Sequence, residues 1–91
     1  MGNIDTERDP TVTYTTTVYT LPNCPQCDLT KRALQKSEIS FVIIDLDTNH
    51  HALAMVKQLG FASAPVVIGI TGSWAGFRPD LIASLAAEVT S

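Results

Sequence analysis

The stretch that decides the fold is Leu21-Pro22-Asn23-Cys24-Pro25-Gln26-Cys27, where a strand-like run breaks and a helix begins. Upstream, Val12 to Thr20 is a dense run of Val, Tyr and Thr, whose β-branched and aromatic side chains suit a pleated strand. Leu21, Pro22 and Asn23 end it. Pro25 then fits the first turn of a helix, where its missing N–H loses no hydrogen bond. The helix is predicted to run to about Ser37, with Leu29, Ala33 and Leu34 on its apolar side. Its start carries the chemistry. A cysteine is nucleophilic as its thiolate, and the unpaired N–H groups and positive dipole end of a helix N-terminus favour that form. Cys24 stands at this end, and Cys27, one turn along, can displace a mixed disulfide. That is the division of labour of a dithiol reductant: Cys24 attacks and Cys27 resolves. Pro25 stiffens the turn, and Gln26 adds no charge.

Further along, Phe41 to Asp45 is a short, nearly all-apolar run, read as a strand covered on both faces. Asp47 or Thr48 can cap a second helix through Ala52, Met55, Val56 and Leu59, with Gly60 as its left-handed C-terminal residue. Ala64 to Gly69 reads as a third strand with Pro65 at its entrance, one of the few strand positions that tolerates a missing donor. A short fourth strand is predicted around Gly72 to Trp74. Pro79 starts a last helix, Asp80 to Val89, with Leu81, Ile82, Leu85 and Ala86 at helical spacing. The order β-α-β-α-β-β-α describes one layered α/β domain. Met1 to Thr11 is charged and lacks an apolar period, so residues 1–11 read as a flexible tail and 12–91 as the redox domain.

The bulk composition sets limits on function. A chain of 91 residues, 45% apolar and 16% charged, suits a single folded domain. With a net charge of -3 and no Lys/Arg cluster, it is a poor ligand for nucleic acid. No run approaches the roughly 18 apolar residues of a membrane span. The polar N-terminus is unlike a signal peptide, so a cytoplasmic protein without membrane contact is expected. Met1-Gly2 followed by Thr6 fits a loose N-myristoylation pattern, too short to carry an assignment. Two cysteines are too few for the disulfide framework of a secreted mini-protein. A C-x-x-C pair is also half of a zinc site, and the adjacent His50-His51 is the other ligand source. Consecutive helix positions diverge by about 100°, however, so these histidines read as solvated residues. A metal or iron–sulfur module completed by a second chain or added thiols remains an alternative. The chain has no nucleotide-binding glycine fingerprint, so reducing equivalents must come from another protein or thiol.

A strand leading into C-P-x-C, followed after a βα unit by Ala64-Pro65 entering another strand, resembles the thioredoxin and glutaredoxin superfamily. The resemblance implies a thioredoxin fold, a mixed four-stranded sheet flanked by three helices. It also implies a cis Pro65 facing the dithiol, with the Ala64 backbone left to pair with a substrate chain. More narrowly, Val12 to Val89 resembles the NrdH-redoxins. The segment Trp74-Ala75-Gly76-Phe77-Arg78-Pro79-Asp80 looks like that family's W-S-G-F-R-P-D, with Ala75 in place of the serine. This resemblance implies a monomeric dithiol–disulfide oxidoreductase that binds no cofactor beyond its redox-active Cys24–Cys27 disulfide. Its implied partners are thioredoxin reductase, which draws on NADPH through a flavin, and class Ib ribonucleotide reductase in deoxyribonucleotide synthesis. The implied substrate- or partner-binding residues are Pro25, Gln26, Ala64, Pro65, Trp74, Gly76, Phe77 and Arg78. Taken singly, the Trp74 and Phe77 rings read equally as core packing. Glutathione-dependent glutaredoxins usually carry a lysine before the first cysteine, an aromatic residue inside C-P-Y-C, and a Gly-Gly segment with acidic residues before the last helix. Here those places hold Leu21, Gln26 and Ala75 to Pro79, which argues against a glutathione site. A glutathione-dependent glutaredoxin therefore stands as the competing redox reading.

Overall fold

In a computed structural model that describes residues 16–90, the first strand, β1 (Thr16–Thr20), lies inside a four-stranded sheet. The expected tail 1–11 and the start of the expected strand, 12–15, fall outside the described residues. Adjacent strand residues point to opposite faces, so Val18 and Tyr19 need separate cover. Val18 packs with Leu34, Ile39, Val67, Trp74, Ile82 and Leu85, while Tyr19 packs with Leu46, Ala52, Val56 and Val66. The first cluster draws on helices α1 (Pro25–Lys36) and α3 (Pro79–Thr90), the second on α2 (His50–Gln58). The sheet is thus the middle layer between two helices on one side and one on the other.

The strand order is β2-β1-β3-β4, with β2 spanning Phe41–Asp45, β3 Val66–Gly69 and β4 Gly72–Ala75. Strand β2 is parallel to β1, as a crossover through α1 allows, and the β1–β3 and β3–β4 pairs are antiparallel. The expected mixed sheet and the β-α-β-α-β-β-α order are both observed. No described helix is long and apolar enough to cross a membrane.

Four local expectations are overturned. Strand β2 is not covered on both faces: Val42 and Ile43 are 47% and 44% exposed, because β2 is an edge strand with one neighbour. An apolar run alone does not distinguish edge from centre. On α1, Leu29 is exposed and the inward stripe is Cys27, Thr30 and Leu34, set by a helix that begins at Pro25. The α2 cap is Asn49, whose Oδ1 accepts the Ala52 N–H at 2.9 Å, not Asp47 or Thr48. Asp45 instead uses its own carboxylate to accept the Asp47 N–H at 2.8 Å, closing the turn that precedes the cap. The third strand begins at Val66, two residues later than expected, after a buried Pro65.

Helices α1 and α2 end in the same way. After α2, the N–H groups of Gly60 and Phe61 reach the carbonyls of Lys57 and Val56 at 3.0 and 3.1 Å, with Gly60 at φ +95°. After α1, the N–H groups of Glu38 and Ile39 reach Gln35 and Leu34, both at 3.0 Å. Each is the paired-bond termination that needs a left-handed residue just beyond the cap. Gly60 meets that need as read from the sequence, whereas at α1 it falls on Glu38, at φ +60°.

Candidate active site

The turn into α1 is built from a left-handed residue and a sulfur cap. Asn23 adopts φ +57°, a conformation asparagine tolerates better than most residues, and so redirects the chain out of β1. Cys24 follows in extended conformation as the N-cap, and its Sγ accepts the Cys27 N–H at 3.1 Å. A sulfur thus takes the place that Ser, Thr, Asp or Asn usually fills at a helix start. The capping N–H and the helix dipole both favour negative charge there. Asp28 in the same turn is drawn to Lys31, 3.4 Å away.

The two sulfurs are joined as a disulfide, with Cα atoms 5.2 Å apart. Their exposure is unequal: Cys24 is half-buried, while Cys27 is 1% exposed. An incoming group therefore meets Cys24 first.

The second component arrives from β3. Tyr19 of β1 pairs with Val66 of β3, so the end of β1, which feeds the dithiol turn, lies beside the start of β3. The Ala64-Pro65 peptide at that point is cis, as the resemblance implied. Leu21 and Ala64 line one open, mainly apolar groove of about 70 Å³, together with Leu53, Phe61, Lys57 and Ser63. Apart from Leu21, the residues named come from one stretch, 53–64, where α2 and its exit meet the end of β1.

The third component is the segment after β4. Two consecutive N–H groups pin it: Gly76 donates to the Pro65 carbonyl at 2.8 Å, and Phe77 donates to Gln26 Oε1 at 3.1 Å. Gly76 sits at φ +88°, and a Cβ there would lie 3.4 Å from Gln26 Oε1. Of the residues singled out in the sequence, Gln26, Pro65, Gly76 and Phe77 are thus brought into contact. Arg78 turns outward and grips Asp80 through two bonds, Nε to Oδ1 at 3.2 Å and a terminal nitrogen to Oδ2 at 3.0 Å. That hydrogen bond holds the Asp80 carboxyl below the usual carboxylate range. Trp74 lies beneath, 6% exposed in the first core cluster, and its indole nitrogen has no partner among the described residues. Pro25 is exposed at the first position of α1. Among the described residues, no group of three or more His, Cys, Asp or Glu side chains converges as a metal set. His50 and His51 are exposed at the start of α2.

A glutaredoxin family model matches residues 14–72. The glutaredoxin-like protein NrdH of Escherichia coli (strain K12) is 42% identical over 66 residues, 72% of this chain and 82% of that protein. Its counterpart from Lactococcus lactis subsp. cremoris is 39% identical over 70 residues, 77% and 97% of the two chains. The solved NrdH-redoxin of Escherichia coli superposes with a TM-score of 0.76 at 41% identity, over 78% of this chain and 93% of the other. The chain belongs to the NrdH-redoxins. It has their thioredoxin-like fold, and as an NrdH-redoxin with an intact C-x-x-C pair it is a thiol–disulfide oxidoreductase of the glutaredoxin-like type. In this chain the segment is tied to the dithiol turn through the Phe77 N–H and to Pro65 through the Gly76 N–H. Ala75, which lacks the serine hydroxyl, packs instead against the second core cluster.

Proposed function

We propose that the protein is a cytoplasmic electron carrier, reduced by thioredoxin reductase, that delivers electrons to class Ib ribonucleotide reductase. The observation that carries this reading is the half-buried Cys24 at the N-cap of α1, backed by a buried Cys27 one turn away. In the reduced protein, the Cys24 thiolate attacks one sulfur of a partner disulfide. The partner's S–S bond breaks, a Cys24–partner bond forms, and the departing partner sulfur takes up a proton. Cys27 then gives up its proton and attacks Cys24 Sγ, which forms the intramolecular disulfide and frees the second partner thiol. The partner has gained two electrons from the carrier and two protons, one from Cys27 and one from solvent, and the carrier is left oxidised. Two electrons drawn from NADPH through the flavoprotein restore the dithiol.

The electron source is argued from the surroundings of the dithiol. Where a glutathione-binding protein offers a cation, this chain has the exposed Leu21, and the Gln26 side chain is engaged by Phe77. The glutaredoxin-like NrdH-redoxin of Escherichia coli has a thioredoxin-like activity profile, which supports a thioredoxin-type supply here. Phe77 and Arg78, with the Ala64 backbone, form the surface that a partner meets beside Cys24. The buried Trp74 supports that surface from below.

The test supplies the protein with NADPH, a disulfide substrate and either thioredoxin reductase or glutathione with glutathione reductase. Turnover with the first system and not the second is the expected result. Turnover only with glutathione would overturn the assignment of the electron source. Cys24→Ser is expected to abolish activity, and Cys27→Ser to accumulate mixed disulfides with its targets.

A further inference from the structure

We propose that Gln26 is a positioning residue that locks the Gly76-Phe77 corner onto the dithiol turn, so that a protein partner gripping Phe77 and Arg78 is aligned on Cys24. This deepens the partner reading above and rests on it for the identity of the partner. Gln26 lies between the two cysteines, yet it is not a free polar group at the mouth of the site. Its Oε1 accepts the Phe77 N–H across 51 residues of chain, while the preceding N–H, from Gly76, goes to Pro65. Adjacent amides of one peptide corner are therefore fastened to two different parts of the site, the proline and the dithiol turn. The left-handed Gly76 makes this possible, because it turns the two N–H groups in different directions.

The clasp also fixes which way round the Gln26 amide lies. Phe77 N–H requires an acceptor, so Oε1 faces the corner and Nε2, with its two donors, is the end left for a visitor. Gln26 is exposed, as is Arg78, and Phe77 is half-buried. The surface beside Cys24 then presents the two Gln26 Nε2–H donors, a match for carbonyl groups on the partner, while the Arg78 guanidinium is already paired with Asp80. Without the clasp the corner samples other conformations. A partner's apparent affinity falls in proportion to the fraction of molecules that remain competent to bind.

Two variants test this. Gln26→Leu keeps the bulk and removes the acceptor, and Gln26→Glu keeps an acceptor oxygen. The first readout is amide exchange at Phe77 in the isolated oxidised protein, which needs no partner. Exchange is expected to accelerate in Gln26→Leu and to stay protected in Gln26→Glu. Unchanged protection in Gln26→Leu overturns the clasp. The second readout compares reduction by thioredoxin reductase with the reaction of the reduced protein with a small aromatic disulfide, which reports the thiolate alone. In Gln26→Leu the KM toward the reductase is expected to rise about three- to tenfold more than any loss with the small disulfide, with kcat less affected. Equal penalties in the two reactions would show that Gln26 acts on the sulfur rather than through the corner, and would overturn the proposal. If the wild-type protein is not turned over by the reductase, the partner reading falls. The same comparison with insulin as the protein disulfide then decides the role of the clasp.

Discussion

Replacing Glu38 by glycine should make the protein more stable, and the size of the gain follows from comparing the two helix ends. Gly60 and Glu38 occupy equivalent left-handed positions with equivalent hydrogen bonds, and only one of them is a glycine. A residue with a Cβ is strained in that region by about 1–2 kcal/mol. Introducing glycine returns about 0.5–1 kcal/mol of this, since the unfolded chain gains freedom. Glu38 is exposed, so its side chain takes little packing with it. Its carboxylate also lies at the negative end of the α1 dipole, which adds about 0.3 kcal/mol in favour of removal. The net gain for Glu38→Gly is about 1 kcal/mol, equivalent to roughly 4–8 °C in Tm for a domain of this size. Glu38→Gln isolates the charge and should give only about 0.3 kcal/mol. Thermal and urea unfolding of the three proteins, compared at constant m, separates the two contributions. A Glu38→Gly protein no more stable than Glu38→Gln would refute the assignment of backbone strain to this position.

Three other perturbations have defined outcomes. Asn49→Ala removes the acceptor for the Ala52 N–H and should lower stability by about 1 kcal/mol, read as a shift in urea midpoint without a change in slope. Leu85→Ala empties a site with no exposure in the first core cluster and should cost about 2–5 kcal/mol, visible as a large loss of Tm by circular dichroism. Arg78→Ala should move the Asp80 titration, followed by carboxyl NMR, upward into the ordinary carboxylate range. Because the folded-state value is depressed by the Arg78 hydrogen bond, the associated stability is present above the unfolded-state titration. It is lost as the pH falls through the lowered value, and the variant should lack this acid-side dependence.

What the sequence revealed was what local chemistry encodes. Pro25 after Cys24 marks a helix start, Pro65 marks a strand entrance, and Gly60 marks a helix end, each because one residue type fits one backbone geometry. The C-x-x-C pair and Trp74 to Asp80 identified the family on residues alone. The errors share a different cause. Val42 and Ile43 look like core residues until the strand order places β2 at an edge, and strand order is not a local property. Leu29 fits an inward stripe on periodicity alone, but the exact helix phase, which Cys27, Thr30 and Leu34 set, turns it outward. Glu38 gives no composition signal for the left-handed turn it makes. The Gln26–Phe77 bond was equally hidden, since nothing in either neighbourhood points to a partner so far along the chain.

The antiparallel pairing of Tyr19 with Val66 has a consequence for how far the molecule can vary. Because the dithiol turn hangs from one strand and the proline from its neighbour, the gap between them is gauged by a single interstrand spacing, about 4.8 Å. Lengthening the connection between α1 and β2, which enters the sheet at the far end, leaves that gauge untouched. A slip of one residue between β1 and β3 would invert every side chain of the pair and pull the jaws out of line. The protein is therefore tolerant of added chain at its rear and intolerant of any change of phase along one seam, which is where an engineer should leave it alone.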